Sequence, residues 1–198
     1  MRKVVVMGAL VALMLGAAGC AAQPNASGSP SPTQSSNQTE TLPTIAPSLI
    51  PTTAPASVVD VDPASFLQTS GDYVFRVGNG PTWCTISPSF ALAICEQNEI
   101  STRYAPIPVP SSCDYSYGYQ VQLMSSKPAD GSPTAFFPCS GGAFTDPTGA
   151  PTLHDGQRLT VDPFNCYVAG DTARCENTEG AYIVLGPRAW ALGEGTLQ

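Results

Sequence analysis

The sequence is poor in charge and poorer still in positive charge. Of 198 residues only 12% are charged, with 8 Lys and Arg against 15 Asp and Glu, a formal net charge of −7. Nucleic acids and anionic lipid headgroups are gripped through basic footprints, so both drop out as partners of the folded region. There is one histidine, His154, and there is no Cys-x-x-Cys, no Gly-x-Ser-x-Gly, no phosphate-cradling glycine loop and no histidine-rich stretch. These absences exclude zinc-site spacing, the thiol redox motif, the strained serine elbow and nucleotide-phosphate binding. No metal and no cofactor is expected. The N-terminal apolar run, Val4 to Ala18, has fifteen residues. At about 1.5 Å per helical residue it reaches roughly 22 Å, short of a hydrocarbon core of roughly 30 Å.

That run follows "MRK" and ends in "AAGC", the layout of a secretory signal peptide over residues 1–19. Small residues directly before a cysteine resemble the lipobox of bacterial lipoproteins, with Ala17 where leucine is commoner. By that resemblance Cys20 is the lipidation site and the first residue of the mature chain. The alternative is an ordinary cleaved signal peptide and free secretion. Residues 20–56 then form a Ser/Thr/Pro-rich stretch whose one charge is Glu40. It has too little apolar surface to offset chain ordering, so it reads as an unfolded tether, a plain spacer or a glycosylated stalk.

Residues 57–198 have the length of one domain. "DYVFRV", "YQVQL", "QRLTV" and "AYIVL" carry period-two or continuous apolar patterns separated by Gly, Pro and Asp. The expectation is a mainly β domain, an antiparallel sheet folded on itself as a small disulfide-stapled barrel or sandwich. At most one short helix is expected, starting at Asp62-Pro63 with Gly71 as a stop.

Cys20 apart, six cysteines remain in an exported chain: Cys84, Cys95, Cys113, Cys139, Cys166 and Cys175. An even set of this kind reads as disulfides. "WCTI…AICEQN" and "NCYV…ARCENT" look alike, each a cysteine opening a strand, a turn, and a second cysteine followed by glutamate. Directly opposed residues of antiparallel strands sit near the separation a disulfide needs, so two clipped hairpins follow, Cys84–Cys95 and Cys166–Cys175. Cys113 and Cys139 form the third bridge.

The segments "VFRVGNGPTWCTISPSFALAICE", "PSSC", "AFFPC" and "TLHDGQRLTVDPFNCYVAGDTARCENTEGAYIVLGPRAW" together resemble a six-cysteine domain of actinobacterial secreted proteins and lipoproteins. Its pattern begins Phe-x-Ser-Pro-Ser-Gly-Asn. The resemblance implies architecture and address, and no activity.

Candidate chemistry is thin. His154 beside Asp155 is a general base steered by a carboxylate, or the edge of an Asp-Gly turn. Ser140 in "PCSGG" is a weak nucleophile candidate without its elbow. Glu96 and Glu176 occupy matching positions and make a glycosidase-like carboxylate pair if about 5–9 Å apart. Otherwise they are solvated strand ends near Arg174 or Arg103. Tyr115, Tyr117 and Tyr119 alternate in "CDYSYGYQVQL". Tyrosines on a Ser/Gly background make good contact surfaces, so these three with Trp83 form the candidate binding surface, unless they line a core.

The sequence therefore supports a cell-envelope lipoprotein, lipid-anchored to the cell membrane on its extracytoplasmic face. Its β domain is a non-catalytic binding or interaction module for an envelope protein or glycan. Two alternatives stand beside this: an extracytoplasmic hydrolase acting on envelope glycan or ester, and a carrier enclosing an apolar ligand.

Overall fold

The computed structural model describes residues 57–194. The expected signal peptide, Cys20 and the expected tether to residue 56 lie outside the described residues. Among the described residues twelve strands make two six-stranded sheets. The first sheet contains β2 (Tyr73–Val77), β3 (Trp83–Ser87), β4 (Leu92–Glu96), β5 (Gln120–Met124), β6 (Ala135–Phe136) and β7 (Thr152–Leu153), in the order β6-β5-β4-β3-β2-β7. The second contains β1 (Val59–Asp60), β8 (Gln157–Val161), β9 (Phe164–Ala169), β10 (Thr172–Asn177), β11 (Ala181–Leu185) and β12 (Trp190–Glu194), ordered β1-β8-β9-β10-β11-β12. Each sheet is an antiparallel meander with one two-residue parallel strand at an edge, β7 beside β2 and β1 beside β8. The architecture is a sandwich; the sheets do not close into a barrel.

Alternation decides which face is inward. Phe75 and Val77 of β2, Val121 and Leu123 of β5, and Ile183 and Leu185 of β11 all enter one shared core. The helical expectation at Asp62-Pro63 is met by a single 3₁₀ turn, Pro63–Phe66, capped by the Asp62 carboxylate, which accepts the Ala64 N–H at 2.9 Å. It stops at Leu67, which is already extended, rather than at Gly71.

The cysteine repeat is a structural repeat. Cys84 faces Cys95 across β3 and β4, and Cys166 faces Cys175 across β9 and β10, each pair in register and bonded. Cys113–Cys139 is the third disulfide. The two clipped hairpins lie in opposite sheets with their bridges turned inward, and Sγ of Cys95 lies 4.0 Å from Sγ of Cys175. Sulfurs of Cys84, Cys95 and Cys175 thus gather within 4.8 Å of one another, all buried. Every one of them is already bonded to another sulfur, so no thiolate is left there to hold a metal.

The amide that follows each glutamate anchors a neighbouring segment. Gln97 accepts from the Thr82 hydroxyl and donates to the Thr102 and Tyr104 hydroxyls, at 3.1, 2.9 and 3.1 Å. Asn177 donates to the carbonyls of Met124 and Ser125 and accepts the N–H groups of Glu179 and Ala181. At one open side of the sandwich the Glu194 carboxylate on β12 accepts the N–H groups of Thr134 and Ala135, at 3.0 and 3.2 Å, which ties β12 to the edge strand β6. A side chain thereby satisfies edge N–H groups that another strand would otherwise pair with.

Candidate functional site

The site grows from one row of residues on the outer face of the first sheet. Cys84, Cys95 and Val121 point into the core, so their strand neighbours Trp83, Glu96 and Gln120 point out. Register places these three side by side across β3, β4 and β5. The outer face of this sheet is not left to solvent: Thr85, Ile94 and Glu96 are all nearly inaccessible. Residues 142–145 lie across it, held by the Gln120 amide to the Gly142 carbonyl at 2.8 Å and by a Thr85–Thr145 hydroxyl pair at 2.6 Å.

Glu96 is the clamp of this arrangement. One carboxylate oxygen accepts the Phe144 N–H at 2.7 Å and the Gln120 amide at 2.6 Å. The other accepts the Trp83 indole N–H at 3.1 Å and the Thr145 N–H at 3.3 Å. With 1% of its surface exposed, Glu96 is no solvated strand end, and among the described residues its ion-pair partners include no arginine. Burial pushes its carboxyl above the ordinary 4.5, and the donors of Phe144, Thr145, Trp83 and Gln120 pull the other way.

Beside the clamp opens a cleft of about 170 Å³ lined by Trp83, Glu96, Asn98, Glu99, Tyr119, Gln120, Ser140 and Gly142, among others. Its wall is braced from behind. Tyr104, whose hydroxyl burial pushes up to about 12, receives the Gln97 amide and donates to the Gly118 carbonyl at 2.8 Å. Tyr119 is half-buried; partial burial, then the hydrogen bond its hydroxyl donates to the Glu99 carboxylate and that group's negative charge, raise its phenol above 10.0.

The three tyrosines do not share a face. Strand β5 begins only at Gln120, and Gly118, at φ +89 and with Ile107 3.1 Å from where a Cβ would sit, breaks the alternation before it. Tyr115 is 67% exposed and lies over Gly141. Tyr117 packs half-buried against the core, 5.7 Å from the Phe137 ring. Only Tyr119, with Trp83, reaches the cleft. We expect Tyr117→Ser to cost about 2 kcal/mol and lower the melting temperature by roughly 5–8 °C, whereas Tyr115→Ser stays within about 0.5 kcal/mol of the parent. Thermal melts followed by circular dichroism check both.

The catalytic candidates are not brought together. Glu96 and Glu176 lie on opposite outer faces, with both sheets, which pack roughly 10 Å apart, between them. That separation is too large for a carboxylate pair sharing one glycosidic bond. Glu176 instead stands 3.5 Å from the Arg174 guanidinium. Ser140 lines the cleft, but its hydroxyl donates to the Gly142 carbonyl. His154 sits elsewhere, in a depression with Asn79, Asp155 and Asp171, at the turn expected of Asp155-Gly156. Between the sheets, where a carrier would keep its ligand, stand the facing disulfides and the buried side chains of Phe75, Leu123 and Leu159.

Gln120, Glu99 and the 142–145 segment went unnoticed in the sequence. One signal was present: β4 is buried on both faces, as the unbroken apolar run Leu92 to Cys95 implies, and the glutamate that ends the strand is buried with it. Comparison with known proteins finds no matching family, no matching curated protein and no matching solved structure.

Proposed function

We propose that the chain is a cell-envelope lipoprotein, lipid-anchored through Cys20 on the extracytoplasmic face of the membrane. In this reading the Ser/Thr/Pro-rich tether holds out a non-catalytic module that binds an envelope glycan or protein at the Trp83/Tyr119 cleft. The disulfides are consistent with maturation outside the cytoplasm. The observation that favours binding over catalysis is the state of Glu96. Both oxygens of the cleft's buried carboxylate are filled by protein donors, leaving it to hold the wall in shape rather than to move protons.

Two measurements test the proposal. Cys20→Ala is expected to move the protein from the membrane fraction to the soluble or secreted fraction, because two or more acyl chains supply the anchoring that one cannot. A photocrosslinking residue at position 119, on intact cells, is expected to capture an envelope component that the same residue at the exposed position 188 does not. A Cys20→Ala protein that stays with membranes removes the anchor, and equal capture from both positions removes the cleft as contact surface.

A further inference from the structure

Resting on that reading, we infer that the cleft takes a single sugar ring bearing hydroxyl or ammonium donors, and refuses anionic ligands. The argument is an inventory of hydrogen-bonding groups. The indole N–H of Trp83 is given to Glu96, and the Gln120 amide nitrogen donates to both Glu96 and the Gly142 carbonyl. Those strong donors of the lining are therefore spent inside the protein. What the lining still offers leans to acceptors: the exposed Glu99 carboxylate beyond its bond from the Tyr119 hydroxyl, and the remaining lone pairs of Tyr119 and of Ser140, whose proton goes to the Gly142 carbonyl and whose oxygen already takes the Gly142 N–H at 3.2 Å, with Asn98 and Ser116 able to donate or accept. A ligand complementary to it carries donors.

Charge points the same way. None of the described residues lining the cleft is basic, while Glu96 and Glu99 are both present. A phosphate, sulfate or uronate entering would meet no countercharge and two carboxylates, whereas a neutral ring meets none of that repulsion and an amino sugar gains from Glu99. Size and shape narrow the class further. About 170 Å³ falls below the roughly 300–1,000 Å³ of sites that enclose a drug-sized ligand, so one ring, or the end of a chain lying mostly outside, is what fits. Tyr119, half-buried on that wall, supplies an aromatic surface for the apolar side of such a ring.

The reporter is built in. Trp83 borders the cleft while the other tryptophan, Trp190, is buried 4.8 Å from Phe137, so in a nitrogen–proton correlation spectrum one indole N–H senses the cleft and the other serves as reference. The full chain is titrated with cellotetraose, with the tetramer of glucosamine, with tetragalacturonate, and with putrescine as a cation without a ring. The Trp83 signal is expected to shift with the first two and stay in place with the last two. Glu99→Gln is expected to weaken the glucosamine tetramer about tenfold and cellotetraose distinctly less, because the amide oxygen still accepts a hydroxyl proton but no longer offers a countercharge to an ammonium. A Trp83 shift from tetragalacturonate equal to that from cellotetraose overturns the charge argument. Saturation by putrescine as tight as by the glucosamine tetramer overturns the ring. If neither sugar shifts Trp83 while position 119 still captures a protein on cells, the sugar inference falls and the binding module stands.

Discussion

Glu96→Ala is expected to cost about 3–4 kcal/mol and to lower the melting temperature by roughly 10–15 °C, the largest effect of any single side chain in the candidate site. Four donors converge on this carboxylate, two from the backbone of residues 144 and 145 and two from Trp83 and Gln120. Truncation leaves the indole N–H of an almost fully buried tryptophan without an acceptor and takes the pin out of the segment that bonds to Thr85. Limited proteolysis is expected to cut that variant near residues 142–146 first, where the parent resists. Glu96→Gln is milder, because the neutral amide sheds the desolvation of a buried charge while its oxygen still accepts. Equal stability of Glu96→Ala and the parent in urea would show that the segment is held by something else.

The same residue gives a pH signature. Its folded-state carboxyl is raised above 4.5, burial being the first cause. Between 4.5 and that raised value the native state binds the proton more than the unfolded state does, so this contribution favours folding below 4.5 and is lost as pH rises through the window. Glu96→Gln has no proton to lose there. The stability difference between parent and Glu96→Gln is therefore expected to change from pH 4.5 up to the raised folded-state value and to level off beyond it, a comparison that cancels the other carboxylates.

What could be seen in the sequence was whatever depends on near neighbours. The clipped hairpins follow from residues nine and eleven positions apart, the capped turn from Asp62 and Pro63, and the inward faces of β2, β5 and β11 from simple alternation. The cleft depends on distant ones. Glu96 is desolvated by a segment 48 positions later, and nothing within "CEQNE" reveals that Phe144 and Thr145 will arrive. The tyrosine stripe misled for a local reason: alternation holds only inside a strand, and a single left-handed glycine at position 118 releases Tyr115 and Tyr117 from the face that Tyr119 occupies. The carboxylate pair misled for a global one, since two glutamates equivalent within the repeat end on opposite outer faces precisely where the repeat turns its cysteines inward.

The disulfides allow two physical accounts of stabilisation to be separated. Loop entropy ranks them by length: about 2.5–3 kcal/mol for the bridges spanning 11 and 9 residues, about 3.5 kcal/mol for Cys113–Cys139 spanning 26. Packing ranks them the other way. The two short bridges are fully buried and touch across the sandwich, whereas Cys139 is exposed. Replacing both residues of a short bridge by alanine removes two sulfurs from a close-packed interior as well as the crosslink, which adds a cavity cost of about 1–2 kcal/mol. We expect either short-bridge variant to lose about 4 kcal/mol and the Cys113/Cys139 variant less than that, measured by urea unfolding. Because the sulfurs of Cys95 and Cys175 are neighbours, the two losses couple. Removing both short bridges together is expected to exceed about 7 kcal/mol, comparable with the whole stability of an ordinary domain, so that variant should not fold at 37 °C. If instead the Cys113/Cys139 variant proves the least stable of the three, chain entropy dominates, and the sulfur contact at the centre of the sandwich adds little beyond closing two short loops.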